Sequence, residues 1–111
     1  MSLNSKIVNI CKALNLEASE DVYTGSKDKF IVFSYANEYK DMFADDDYNV
    51  LRINVNVNLY VPLKFNYHQL KSQLRDELEN NGFDINNVYT LVEPDTELRH
   101  IVFDTEYIQN K

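Results

Sequence analysis

Glycine, cysteine and cationic residues are scarce in this chain, and each scarcity excludes a class of chemistry. Only 2 of the 111 residues are glycine. Neither GxGxxG nor GxxxxGK[ST] can be written in the sequence, so a backbone loop that cradles phosphate is ruled out. The GxSxG elbow of serine hydrolases is missing as well. The single cysteine, Cys11, has no partner for an internal disulfide, which fits a reducing compartment. Eleven Lys and Arg stand against 18 Asp and Glu, a net charge of −7, and the cations are scattered singly. Such a domain repels phosphate backbones, so sequence-specific nucleic-acid binding is not expected. Anionic membrane surfaces are disfavoured by the same sign. No run approaches the ~18 apolar residues of a membrane span. The N-terminal MSLNSKIVNICKALNL is broken by Asn and Lys too often for a signal-peptide core of about 7–15 apolar residues. The expected location is the cytoplasm.

Hydrophobic residues make up 44% and aromatic residues 13% of the chain, enough for one core, and no linker or low-complexity tract divides it. Residues 1–111 therefore read as one domain. Within 5–15, Ile7, Ile10, Cys11 and Leu14 form one apolar helical stripe, with Asn4 or Ser5 as cap. Cys11 falls on that stripe, where a thiol serves as a small hydrophobe. A turn is expected at Thr24-Gly25-Ser26, and a buried strand over 30–35 (FIVFSY). The clearest signal is 51–61. Leu51, Ile53, Val55, Val57, Leu59 and Val61 alternate with Arg52, Asn54, Asn56, Asn58 and Tyr60, so one face packs on a core and the other meets water or a partner. At ~3.3 Å per residue this strand reaches about 36 Å, beyond the usual ~5–6 residues. Pro62 ends it. Residues 66–81 read as a second helix carrying Tyr67, Leu70, Leu74 and Leu78, capped by Asn66 and closed by Gly82, with Phe83 folding back. Strands follow at 88–93 and 99–107, joined by a turn at Pro94-Asp95. The order α-β-β-α-β-β predicts an α+β domain, with a mostly antiparallel sheet of about four strands and two helices packed on one face.

Candidate chemistry is thin. His68 and His100 are the two histidines, and with one cysteine they leave a structural zinc set incomplete. Asp45-Asp46-Asp47-Tyr48-Asn49 begins like a calcium loop. Its sixth position is Val50 instead of glycine, and its twelfth is Asn56 instead of glutamate. A solvated acidic turn is the simpler reading. No catalytic pair is singled out among the acids, and no enzyme activity, cofactor or metal is expected. The connection 38–47 (EYKDMFADDD) is too long for a tight hairpin and carries Tyr39, Met42 and Phe43. These residues are either interface anchors or a cover for one end of the core. Asn54, Asn56 and Asn58 likewise are either the wet face of a strand or a surface for a neighbour or a lumen.

The order of VYTGSKDKFIVFSY, ADDDYNVLRINVNVNLYVP, a helix ending ELENNGF and the strand LRHIVFDTEY resembles the small neck proteins of tailed phages and prophages. That group comprises tail-terminator or tail-completion proteins, also filed as minor capsid proteins. The resemblance covers about residues 20–107 and is carried by the "ADD" turn before the long strand, by Leu78, Gly82 and Phe83, and by His100, Ile101 and Phe103. It implies a structural subunit that closes into a ring, a hexamer being the expected form, joining tail to head, with itself and other neck or tail proteins as partners. It also implies a path from the host cytoplasm into the virion. Tyr39, Met42, Phe43, Asp45, Asp46, Asp47, Asn54, Asn56 and Asn58 are the candidate interface residues. A reading of another class is a small acidic cytoplasmic module that binds or inhibits a basic partner.

Overall fold

In the computed structural model, the chain is described over residues 2–42 and 49–110. Helix α1 (Leu3–Lys12) begins at Ser2, whose Oγ accepts a hydrogen bond from the Ser5 amide at 3.1 Å. The cap lies upstream of the expected Asn4 or Ser5 because Ser2 already satisfies that free amide. Asn15, at φ 60°, turns the chain out of the helix. It feeds strand β1 (Glu17–Glu20), and then come β2 (Phe30–Met42), β3 (Asn49–Pro62), α2 (His68–Asn80), β4 (Phe83–Glu93) and β5 (Leu98–Asn110).

The sheet order is β1-β2-β3-β5-β4. Its four long strands pair antiparallel, and β1 adds a short parallel strand along Phe30–Phe33. The α+β class, the mostly antiparallel sheet and the two helices are as the sequence predicts. β1 is an addition, since EASE carries no apolar alternation to reveal it. β3 lies in the middle and hydrogen-bonds on both sides, to β2 and β5. Its odd-numbered Val55, Val57, Leu59 and Val61 are fully buried, and they meet Ile7, Ile10 and Cys11 of α1 and Leu74 and Leu78 of α2 in one core. Thr105, on the same face of β5, is buried and donates its hydroxyl to the Val55 carbonyl at 2.8 Å. That bond removes the cost of an unpaired polar group in the core.

Two stretches differ from expectation, each at a break in its alternation. The strand expected over 30–35 runs on to Met42, so residues 38–42 of the connection expected at 38–47 are strand, and 43–47 lie outside the described residues. The strand expected at 88–93 already starts at Phe83. Each contains a bulge, between Tyr35 and Asn37 in β2 and between Ile85 and Asn87 in β4. An extra residue shifts the phase of alternation, so a single period-two template loses the strand there. α2 starts at His68 instead of Asn66. Tyr67 holds the N-cap position without a side-chain bond, while Asn66 Oδ1 lies 3.4 Å from the His68 amide. Gly82 has φ +93°, the left-handed conformation expected of it, and Phe83 is buried. No helix among the described residues is long and apolar enough to cross a membrane.

Because Val55 and Val57 are wholly enclosed, the double variant Val55→Asp, Val57→Asp places two unpaired charges in the core. Each costs several kcal/mol against a total stability of about 5–15 kcal/mol for a typical domain. The expected outcome is loss of the cooperative urea transition followed by circular dichroism.

Candidate functional site

All the helical packing is on one face of the sheet, so the other face is the candidate surface. In β3 it presents Arg52, Asn54, Asn56, Asn58 and Tyr60, each partly buried. The register sets Tyr39 beside Arg52 and Asn37 beside Asn54 on β2, and Asp104 beside Asn56 and Glu106 beside Asn54 on β5. On β4, Asn87 pairs with Asp104 and Asp84 with Glu106.

Three groups of contacts organise this face. At one end, four rings stack across the sheet. Tyr23 lies on Phe30 at 4.1 Å between centroids, Phe30 on Tyr60 at 5.0 Å, and Tyr60 on His100 at 4.3 Å. Next to that stack, Asn58 Nδ2 donates to the Val32 carbonyl at 2.9 Å, which orients its Oδ1 towards His100 Nε2 at 2.8 Å. An amide oxygen only accepts, so Nε2 carries the imidazole proton. His100 Nδ1 faces Glu93 Oε1 at 3.3 Å. Nearer the β2–β3 end, Arg52 donates to Glu106 at 2.9 Å, and the Tyr39 hydroxyl donates to the same carboxylate at 3.2 Å. Two apolar side chains on β4, Tyr89 and Leu91, stand 46% and 47% exposed on this face. Such large apolar groups in the open are what a contact surface offers.

Burial lowers the pKa of His100, and the nearby Glu93 carboxylate opposes that shift without overcoming it. Burial also raises the Tyr60 phenol, with Glu93 adding to it. On the opposite, helix-covered face, burial pushes the Cys11 thiol up to about 12. Cys11 is therefore an inert core group, because the reactive form of cysteine is the thiolate.

The structure brings four of the residues singled out from the sequence onto one surface: Tyr39, Asn54, Asn56 and Asn58. It also separates their roles. Asn58 is bonded internally on both sides of its amide, whereas Asn54 and Asn56 have no side-chain hydrogen bond among the described residues. Met42 ends β2. Phe43, Asp45, Asp46 and Asp47 lie outside the described residues, as does the turn read as an imperfect calcium loop at its acidic positions. Among the described residues no group of three or more His, Cys, Asp and Glu is placed to hold a metal ion. The His100–Asn58–Glu93 cluster and the ring stack escape a linear reading, because both form across strands whose register the sequence does not display. No protein-family model matches the chain, and no curated protein matches it.

Two outcomes follow from this geometry. The nuclear magnetic resonance titration of His100 is expected to have its midpoint below the ordinary ~6.5, and Glu93→Gln is expected to lower it further. A folded-state pKa below the unfolded value means that the unfolded chain binds the proton more readily. The His100 contribution to stability is thus complete above about pH 6.5 and declines as the pH falls below it. Cys11 is expected to stay unreactive towards a disulfide reagent in the native protein at pH 8 and to react fully in denaturant. Rapid native modification would show the core opening locally.

Proposed function

We propose that this chain is a non-enzymatic assembly subunit of the tailed-phage neck type, a tail terminator or head–tail joining protein that acts by closing into a ring, six subunits being the expected number. The observation that carries the reading is the two-sided sheet, with helices on one face and, on the other, a polar surface of net negative charge. That open face holds Asn54, Asn56, Asp84, Glu93, Asp104 and Glu106, with Arg52 the cation beside them. Turned towards a lumen, it repels the phosphates of passing DNA and leaves the duplex free to slide. The long hairpin fits the same role. From Tyr35 to Lys40 every residue of β2 is exposed, on the outer side of its ladder with β3. The molecule measures 54 × 24 × 24 Å. Such an exposed strand at the side of the sheet is suited to contacting a neighbour. In this reading the protein's partners are other copies of itself and further neck or tail proteins, and its path runs from host cytoplasm to virion.

The rival reading of an acidic inhibitor requires the carboxylates to gather on one exposed face. Among the described residues they stand on the uncovered sheet face but also on β1 (Glu17, Glu20), α2 (Asp76, Glu77, Glu79) and the β4–β5 turn (Asp95, Glu97). This spread counts against a single acidic docking face.

Light scattering coupled to size exclusion, run over a wide concentration range, tests the proposal. The expected result is a discrete ring-sized species that grows with concentration at the expense of monomer. A monomer throughout would overturn self-assembly as the mode of action and favour a one-to-one binding module.

A further inference from the structure

We propose that the free edge of β2 beyond Phe33 pairs with the free edge of β4 on a second copy of this chain, continuing the sheet from subunit to subunit. The inference rests on the ring reading above and specifies the contact that builds the ring. β1 pairs only with Phe30–Phe33, yet β2 runs to Met42. Among the described residues no strand occupies the outer edge of Ser34–Met42. On the other side of the sheet β4 pairs with β5 alone and forms the opposite edge. Each edge presents backbone donors and acceptors that face no further strand among the described residues, which is a template for another strand.

Topology identifies the occupant as a second copy. Passing from β2 to β3, from β3 to β5 and from β5 to β4 reverses the strand direction at every step. β2 and β4 therefore run antiparallel. A second copy set alongside in the same orientation, as a head-to-tail ring requires, brings its β4 to this β2 as an antiparallel ladder. The helix-bearing faces then stay on one side, and each subunit keeps one edge free for the next.

β1 also fixes the register. The rows of the sheet align Phe33 with Val57, Phe103 and Val88, and Phe30 with Tyr60, His100 and Leu91. A level neighbour would drive its Val88–Leu91 into the place β1 holds beside Phe30–Phe33. The neighbour must therefore shift towards Met42. A shift of about four residues, or ~13 Å, sets Ser34–Met42 opposite Phe83–Leu91. An even shift also keeps the two uncovered faces on the same side.

Hydrogen exchange of the full-length protein, compared at dilute and concentrated conditions, tests this pairing. The expected result is slower exchange, by about tenfold or more, in Ser34–Met42 and Phe83–Leu91 together as the multimer forms. The centre of β3 should change little. Proline variants give a second measurement. Of two successive strand residues one turns its amide outward, so one of Asn37→Pro and Glu38→Pro, and one of Thr90→Pro and Leu91→Pro, should keep the fold and block an edge. Each blocked variant alone should be monomeric, and an equimolar mixture of a β2-blocked and a β4-blocked variant should give a dimer and nothing larger. A multimer whose edges exchange as in the monomer would overturn the edge pairing and leave ring formation standing. The absence of any multimer would overturn both. If none of the proline variants folds, exchange in the unaltered protein decides the question alone.

Discussion

Burial on one side only is the constraint on which the rest of this structure depends. α1 and α2 both pack against the same face of the sheet, so every long strand must be apolar towards the helices and tolerant of exposure on its reverse. β3 imposes that phase on the others because it is hydrogen-bonded on both sides, to β2 and β5. A slip of one residue in either ladder would turn Val55, Val57 and Leu59 to the open face and carry Asn56 and Asn58 into the core. The hydrophobic penalty for that exchange amounts to ~1.5–3 kcal/mol for each large side chain exposed. Register in the centre of the sheet is thus enforced by the core, before any contact on the open face is counted.

The open face needs its own sources of order, and these are side-chain pairs across strands. Stacked rings from Tyr23 to His100 lie at the end of the sheet where β1 and β2 both begin. Pairs of this kind contribute on the order of 0.5–1.5 kcal/mol beyond their area. Asn58 links two strands, bonding the β2 backbone with its nitrogen and the β5 imidazole with its oxygen. Val102, next to Asn58 in register, is only 5% exposed although no helix covers that face. Towards Asn54 and Asn56 this network thins out. β3 therefore carries bonded side chains on both sides of this gap, at Asn58 and at Arg52, with Asn54 and Asn56 between them making no side-chain hydrogen bond among the described residues.

How far the fold was legible in the sequence follows from the same physics. Period two in 51–61 and the leucine spacing of 66–81 are strong because burial on one face filters side chains at every second or every third to fourth position. Gly82 was legible because few other residues accept its φ of +93°. β1 and the outer half of β2 were not. β1 borders the sheet with polar residues, and Tyr35 to Lys40 are exposed on both faces, so no burial pattern marks them as strand. On the candidate surface, the sequence placed Asn54, Asn56 and Asn58 together, because alternation within one strand is local information. It gave no sign that Tyr39 joins Glu106, nor that His100 meets Asn58 and Glu93, because these are facts of register between distant segments.

An antiparallel sheet with two free edges can continue indefinitely, so the proposed contact must also account for why the proposed assembly would close into a ring instead of growing into a fibre. Heterologous contacts close only when each step adds a fixed rotation. The two bulges bear directly on this. They lie on the two edge strands, after Tyr35 in β2 and after Ile85 in β4, and both residues sit in the row of Val55 and Thr105. A bulge bends its strand and increases the local right-handed twist. Edges bent at the same level are poor templates for the flat stacking that extends fibrils, but they suit a sheet that turns by a constant angle at every subunit. The displacement forced by β1 adds to this, since a stagger between successive strands is what closing a sheet on itself requires. Short β1 thus has two roles in the proposed assembly: it covers the start of an edge that would otherwise aggregate, and it sets the offset at which the rest of that edge accepts a neighbour.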